Sequence, residues 1–292
     1  MQKNFQEVKQ SLISILGPPY FETGSCILFC GDTLMMQEKV TDSFFNAIIT
    51  SPPYNIGKEY ETIKSLDEYV DWSVRWITDA NNLLLPDGAL LLNLGYVPVE
   101  GKGRAIPISY LLWDKIPLYL NQEIVWNYSA GVACKKYLSP RNEKILWYVK
   151  DSKNYTFNLD NIRDENVKYP NSKRNGKLRV NTLGKNPSDV WEIAKVTTGQ
   201  DRASKERTPH PCQFPTDLID RLVLGFTNVG EIVFDPFIGS GTTFVSCLKH
   251  QRYCVGFEIK PEYCEIAKGR IEKMDIFLNQ LTLPCREEAA NE

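Results

Sequence analysis

The sequence predicts an α/β fold, a mainly parallel sheet with helices on both faces. Three observations predict it. Short apolar runs alternate along the chain with stretches of helical spacing, an order that implies parallel strands joined by right-handed crossovers. The run from Ala89 to Leu94 is almost continuously apolar, as a strand covered on both faces must be. Two further runs end abruptly in loop chemistry, at Ser51-Pro52-Pro53-Tyr54 and at Asp235-Pro236-Phe237-Ile238-Gly239-Ser240-Gly241. Both place polar groups at strand C-terminal ends, where open α/β sheets bind ligands.

The elements follow in order. Residues 1–20 read as a helix that ends before Gly17-Pro18-Pro19, and Ile27 to Cys30 as a buried strand closed by Gly31-Asp32-Thr33. Phe44 to Thr50 is the next strand. Two consecutive prolines cannot donate to a sheet ladder, so it must stop at Ser51. Leu66 to Leu85 carries apolar residues at helical spacing, and Pro86-Asp87-Gly88 is expected to end that helix in a turn. After the Ala89–Leu94 strand, Ile106 to Leu112 suggests a helix, and Glu123 to Trp126 and Ile145 to Val149 suggest strands. Residues 151–205 are polar, basic and weakly periodic, and read as a loop-rich insertion. Pro215 to Phe226 is an amphipathic helix, Glu231 to Phe234 a strand, Thr242 to His250 a helix, Tyr253 to Glu258 a strand and Pro261 to Phe277 a last helix. Trp72, Trp76 and Trp113 are expected in the core, and His210 in a structural role.

The 292 residues suffice for a sizeable core. No apolar run reaches the roughly 18 residues of a membrane helix, and the N-terminus has no signal-peptide pattern. Both observations point to the cytoplasm. The eight cysteines are scattered without a CxxC pair, and the only histidines are His210 and His250, so no metal site is expected. Most of the thiols should be buried. Net charge is -2, but no acidic residue lies between Glu165 and Asp189, where Lys168, Lys173, Arg174, Lys177, Arg179 and Lys185 all fall. A basic stretch in an otherwise acidic chain suits phosphate contact.

The later motif runs from a strand through a Gly-x-Gly turn into a helix. Glycines let the backbone approach a ligand, and a helix start offers free N–H groups. Glu258, at the end of the next strand, suits ribose hydroxyls. A dinucleotide site uses similar parts, but Phe244 stands where its third glycine belongs, and Asp235 would repel its phosphates. A carboxylate there better suits a cationic ligand. S-adenosylmethionine carries an ammonium and a sulfonium and no phosphate.

With both motifs in view, the chain resembles the DNA amino-methyltransferases. Ser51-Pro52-Pro53-Tyr54 pairs with Asp235-Pro236-Phe237-x-Gly239-x-Gly241-Thr242-Thr243, and the catalytic-first order is similar to their β group. The resemblance implies a Rossmann-like S-adenosylmethionine-dependent methyltransferase fold and S-adenosylmethionine as cofactor. It assigns 1–150 to the catalytic half, 151–205 to a target-recognition insertion and 206–292 to the cofactor half. It implies cofactor contacts at Asp235, Pro236, Phe237, Gly239, Ser240, Gly241, Thr242 and Glu258. Asp32 either reaches the adenine or caps the turn after its strand. His210-Pro211-Cys212-Gln213-Phe214-Pro215 matches the segment preceding the cofactor strand. Partners implied are double-stranded DNA, contacted by Lys168, Lys173, Arg174, Lys177, Arg179 and Lys185, a second copy of the chain, and a cognate restriction endonuclease.

An exocyclic amine conjugated to its ring is a poor nucleophile. Acceptors at Ser51 and the Pro52 carbonyl would hold its two protons and stabilise positive charge developing on nitrogen. Pro53 stiffens the loop, and Tyr54 would stack on a base flipped out of the duplex. Within the family Ser-Pro-Pro-Tyr is common in cytosine-N4 enzymes and Asp-Pro-Pro-Tyr typical of adenine-N6 enzymes, so Ser51 favours cytosine without excluding adenine. RNA or protein methylation, and an inactive nucleic-acid-binding module, are the competing classes. Pro211-Cys212-Gln213 and Glu165-Asn166-Val167 also occur in cytosine-C5 enzymes, but in the wrong order here, and that reading leaves Ser51-Pro52-Pro53-Tyr54 unexplained.

Overall fold

The structure, a computed structural model, describes residues 3–59, 61–129, 133–197 and 204–282; Cys285 and residues 198–203 of the basic segment lie outside them. The chain begins with α1 (Phe5–Leu16), β1 (Phe21–Glu22), β2 (Cys26–Cys30), α2 (Thr33–Lys39), β3 (Phe45–Thr50) and α3 (Leu66–Leu83). It continues through β4 (Leu84–Leu94), β5 (Tyr96–Val99), β6 (Gly103–Pro107), α4 (Ile108–Leu112), β7 (Tyr119–Asn127) and β8 (Asn142–Val149). A 3-10 turn at Leu159–Ile162 and strands β9 (Lys173–Arg174), β10 (Lys177–Leu178) and β11 (Val190–Glu192) follow. Last come α5 (Thr216–Phe226), β12 (Ile232–Asp235), α6 (Thr242–Lys249), β13 (Tyr253–Glu258) and α7 (Pro261–Thr282).

Nine strands form one sheet in the order β1-β2-β13-β12-β3-β4-β8-β7-β11. β2, β13, β12, β3 and β4 pair in parallel, and β11 pairs in parallel with β7. β1 and β8 run against their neighbours. Strand alternation divides the core in two. Ile48, Leu90, Leu92, Phe234 and Val255 face α1, α3 and α4, while Ala47, Ile49, Leu91, Val233 and Cys254 face α5, α6 and α7. Both faces are thus covered, as the unbroken apolar strands require. Capping boxes start α1 at Asn4 with Glu7 and α3 at Ser65 with Glu68.

The structure differs from the sequence expectations at identifiable places. α3 stops at Leu83, and Leu84 already pairs with Phe45; Ala89 then pairs with Ala47, so Pro86-Asp87-Gly88 sits in a bulge within β4. Residues 103–107 form the second strand of a hairpin with β5, which delays the next helix to Ile108. β8 is antiparallel because no helix separates it from β7, and strands joined directly must reverse. Trp76 is in the core, whereas Trp72 is half-buried and Trp113 is 61% exposed at the end of the short α4. Cys26, Cys247, Cys254 and Cys264 are buried, but Cys30 and Cys212 are exposed. Among the described residues no group of cysteine, histidine and carboxylate side chains could hold a metal, and no helix is long and apolar enough to cross a membrane.

A candidate active site at the ends of β3 and β12

β3 and β12 are adjacent and parallel, so their C-terminal loops emerge side by side. One cavity of about 290 Å³ receives both. Its lining includes Asp32, Ser51, Pro52, Pro53, Tyr54, Asp235, Pro236, Phe237, Gly239, Ser240, Thr242 and Glu258. Of the residues singled out in the two motifs only Gly241 is outside it, turned toward α7. None of Lys168, Lys173, Arg174, Lys177, Arg179 and Lys185 lines it. All six are exposed to solvent. Lys173, Arg174 and Lys177 ride on the β9–β10 hairpin, whose turn residues Asn175 and Gly176 both have positive φ. Lys185 is in an ion pair with Asp164 at 2.9 Å.

The turn after β12 is held by backbone conformation. Gly239 (φ 52) and Gly241 (φ 78) both occupy the left-handed region. A Cβ at Gly239 would lie 2.9 Å from His210 Nε2, and one at Gly241 the same distance from the Ala267 Cβ. His210, packed edge-on against Tyr263, closes the turn from above. Burial pushes its imidazole down to about 4, so it is neutral at neutral pH. From α7, the Arg270 guanidinium donates to the Ser240 carbonyl at 2.9 Å, to Ser240 Oγ at 3.1 Å and to Thr242 Oγ1 at 2.9 Å. Thr242 Oγ1 in turn donates to the Phe214 carbonyl at 3.2 Å, which seats the segment from His210 to Pro215 against the turn.

Three carboxylates approach this turn. Asp235 is buried; it accepts from Thr50 Oγ1 and Thr243 Oγ1, each at 2.7 Å, and from the Phe237 N–H at 3.1 Å. Burial nevertheless raises its carboxyl to about 6, because three neutral donors do not replace hydration. Glu258 accepts from the N–H groups of Gly239 (3.1 Å) and Lys260 (2.8 Å), and burial raises it too. Asp32 caps the start of α2 through the Leu34 N–H at 3.0 Å while its residue lines the cavity. Phe237, Ile238, Phe257 and Ile259 supply apolar wall. Acidic groups beside an apolar slot fit a cationic nucleoside such as S-adenosylmethionine, and the absence of Cβ atoms lets the backbone come close to it.

The loop after β3 is held differently, by carboxylates from outside the motif. Glu61 accepts from four N–H groups of the loop: Tyr54 (2.8 Å), Ile56 (2.8 Å), Gly57 (2.9 Å) and Lys58 (3.1 Å). The Asn55 side chain pairs with the Lys64 backbone in both directions, pinching residues 55–59 and 61–64 into a strap. Glu59 on that strap accepts from the Tyr263 hydroxyl at 2.5 Å, tying it to α7. The Tyr69 hydroxyl donates to the Pro53 carbonyl at 2.9 Å, and no described residue donates to the Pro52 carbonyl. Tyr54 lies against Gly95, where a Cβ would come within 2.7 Å of the ring. Its hydroxyl turns inward, to Ser51 Oγ at 2.8 Å, Asn93 Nδ2 at 2.7 Å and Glu143 Oε2 at 2.9 Å. Only the half-buried ring, and not the hydroxyl, is left to meet a ligand.

Sequence reasoning passed over Glu61, Asn93, Glu143, Tyr263 and Arg270, and read Trp72 as core where it lines the cavity. None of the residues passed over belongs to a local pattern: they reach the site from the loop after β3, from β4, from β8 and from α7. The Thr50–Asp235 hydrogen bond joins the two motifs directly and is also invisible in sequence order.

Comparison with known proteins identifies the family of the chain. A family model described as DNA methylase, covering the N6/N4 group, matches residues 45–269. The Type II methyltransferase M.ScaI of Streptomyces caespitosus is 52% identical over 257 residues, covering 88% of this chain and 84% of that protein. The DNA adenine methyltransferase YhdJ of Escherichia coli K12 is 31% identical over 264 residues, covering 87% and 85%. Among solved structures, the PvuII DNA methyltransferase, described as cytosine-N4-specific, superposes with a TM-score of 0.67 at 19% identity, covering 90% of this chain and 94% of that one. The same fold has been solved in complex with S-adenosylmethionine.

Proposed function

The chain belongs to the N6/N4 DNA methylase family and is an S-adenosylmethionine-dependent DNA methyltransferase; from that premise we propose that it methylates the exocyclic N4 amine of a cytosine flipped out of duplex DNA, as the modification half of a restriction–modification pair. The observation that carries this reading is the shared cavity. A hydroxyl-bearing loop and a glycine turn lined with carboxylates open into one space and are joined by the buried Thr50–Asp235 bond.

When bound, S-adenosylmethionine supplies an electrophilic sulfonium methyl group. Asp235, Glu258, Gly239 and Ser240 would hold it, with Phe237 and Ile238 along its apolar part. Ser51 Oγ and the Pro52 carbonyl accept the two amine protons, which turns the nitrogen lone pair toward the methyl and stabilises the positive charge that grows there. Tyr54 offers a ring face to the base, and Trp72, also on the cavity wall, packs on Phe237 at 5.8 Å between centroids. Inside a duplex the amine is out of reach, so the base must leave the stack. The cations of 168–179 lie clear of the cavity, as backbone contacts to a duplex require.

A second reading, adenine-N6 transfer, is favoured by the 31% identity to an adenine enzyme. A serine hydroxyl accepts from either amine. Ser51, the residue before Pro-Pro-Tyr, supports cytosine. The test is methylation of unmethylated genomic DNA with labelled S-adenosylmethionine, followed by nucleoside analysis. Label in N4-methylcytosine is the expected outcome; label in N6-methyladenine establishes the second reading, and label in C5-methylcytosine or none in DNA overturns both.

A further inference from the structure

Glu143 belongs to neither motif. It stands on β8, the antiparallel strand beside β4, and its carboxylate reaches across the end of β4 to the catalytic loop. There it accepts from the Tyr54 hydroxyl at 2.9 Å and from Asn93 Nδ2 at 2.6 Å. Asn93 Nδ2 also donates to the Tyr54 hydroxyl at 2.7 Å, and that hydroxyl lies 2.8 Å from Ser51 Oγ. Polar groups from three segments therefore meet at one phenol oxygen.

Burial raises the Glu143 carboxyl, and the hydrogen bonds from Asn93 and Tyr54 oppose that rise; with Glu143 ionised, the proton inventory of the phenol oxygen is set by its neighbours. An amide nitrogen can only donate, and an ionised carboxylate can only accept. The phenol has one proton and two lone pairs. Its proton goes to Glu143 at 2.9 Å, the nearer of two acceptors, the Asn93 carbonyl lying 3.4 Å away, and one lone pair takes the Asn93 side-chain proton. The remaining contact, with Ser51, is satisfied only if the serine donates. Ser51 is then left with lone pairs alone for whatever enters the cavity. Reversing the serine proton would leave the phenol oxygen without its third partner in a half-buried place, which is disfavoured.

We propose that Glu143 is a positioning residue that, through Tyr54 and with Asn93, holds Ser51 as an obligate hydrogen-bond acceptor, so that the site receives an amine and turns away an oxo group at the same ring position. The inference rests on the proposed amine transfer and deepens it. It assigns Tyr54 a second task beside its ring contact, which explains why its hydroxyl faces inward. It also accounts for a carboxylate on β8 that bonds Tyr54 yet is not among the residues lining the cavity.

A double-mutant cycle tests it, with single-turnover methyl transfer to unmethylated genomic DNA as the readout and calorimetric S-adenosylmethionine binding as the control for folding. Glu143→Leu removes the acceptor, Glu143→Gln keeps one, and Tyr54→Phe removes the phenol while keeping the ring. The expected result is a loss of about ten- to a hundredfold in transfer rate for Glu143→Leu and for Tyr54→Phe, with no further loss when the two are combined, cofactor affinity unchanged, and most activity retained in Glu143→Gln. Multiplying losses in the double variant, an equal loss in Glu143→Gln and Glu143→Leu, or full activity in Glu143→Leu each overturn the proposal. Failure of the wild-type protein to methylate any DNA amine is a separate result, read from the same labelled DNA, and it overturns the underlying function instead.

Discussion

The two loops that meet in the cavity solve the same problem by different means. Both leave the C-terminal end of a parallel strand and must hold a defined path in place. The turn after β12 does so with its own backbone: Gly239 and Gly241 take conformations that other residues avoid, and His210 and α7 press against the space their side chains would fill. The loop after β3 uses side chains from elsewhere: Glu61 gathers four N–H groups, Tyr69 takes the Pro53 carbonyl, and Glu143 and Asn93 fix Tyr54. The difference teaches that the turn after β12 is encoded locally by its own backbone, whereas the loop after β3 is held by side chains from distant segments.

The strongest test of that contrast is at Gly241. A Cβ there meets the Ala267 Cβ at 2.9 Å and its Cα at 3.0 Å, so α7 itself must move. Gly241→Val is expected to abolish detectable S-adenosylmethionine binding. Overpacking and left-handed strain together should cost it about 3 kcal/mol or more in unfolding free energy. Gly101→Ala, at a similar φ of 68 but with open space around it, should cost only about 1 kcal/mol and leave binding intact. Equal losses at the two positions would mean that conformation alone, and not the close approach of α7, holds the turn.

Next in size is Glu61→Ala. Four N–H groups lose their acceptor and the strap is freed, while no glycine is touched. Methyl transfer should fall about a hundredfold, the scale of a misplaced catalytic loop, with cofactor affinity within about threefold by calorimetry. A parallel loss of affinity would show that the two loops are not separable after all.

A smaller effect follows from the one bond the loops share. Asp235, which accepts from Thr50 on the catalytic side and Thr243 on the cofactor side, has its carboxyl raised to about 6 by burial. A folded-state value above the unfolded one means that the proton stabilises the unliganded fold: that contribution is present below the ordinary carboxylate value and is lost as pH rises through about 6. A cationic ligand favours the ionised form, so affinity for S-adenosylmethionine should be flat above about pH 6 and fall by up to about tenfold per pH unit below it, with proton release on binding. Affinity independent of pH between about 5 and 7 would take Asp235 out of the cofactor's electrostatics and leave it as the structural tie between the loops.

This contrast also sets what could be read from the sequence. Gly239 and Gly241 announce their turn because backbone strain is a local property, and two prolines announce the end of β3 for the same reason. The apolar run from Ala89 to Leu94 announces a doubly covered strand, and both core faces follow from alternation along it. The reversal of β8 was carried by the lack of helical spacing between 128 and 141, a negative signal that is easy to pass over. Glu143, Asn93 and Arg270 carried none. A carboxylate on a strand reads as a solvated charge until the sheet order brings it beside a tyrosine from a different segment. Long-range hydrogen bonds of this kind become legible only once the topology is known.

The least effect on the chemistry is expected furthest from both loops. The β9–β10 hairpin is two residues deep on each side and presents Lys173, Arg174 and Lys177, with Arg179 immediately after. Lys185 differs from these because Asp164 already neutralises it. If the four cations of the hairpin contact phosphates, their replacement by alanine should leave the transfer step and cofactor affinity unchanged and act on DNA affinity alone. Each phosphate contact contributes about 0.9 to the slope of log affinity against log salt, so the slope should become shallower by up to about 3.6, while Lys185→Ala should change it little. Binding isotherms between about 50 and 200 mM salt, taken with the Glu61→Ala protein as well, separate the two kinds of loss: the loss of Glu61 changes rate at constant salt slope, and the hairpin changes slope at constant rate. An unchanged slope in the hairpin variant would move the duplex contact elsewhere, to the cations Lys135, Lys136 and Arg141 on the loop between β7 and β8, whose root at Asn142 and Glu143 adjoins Tyr54.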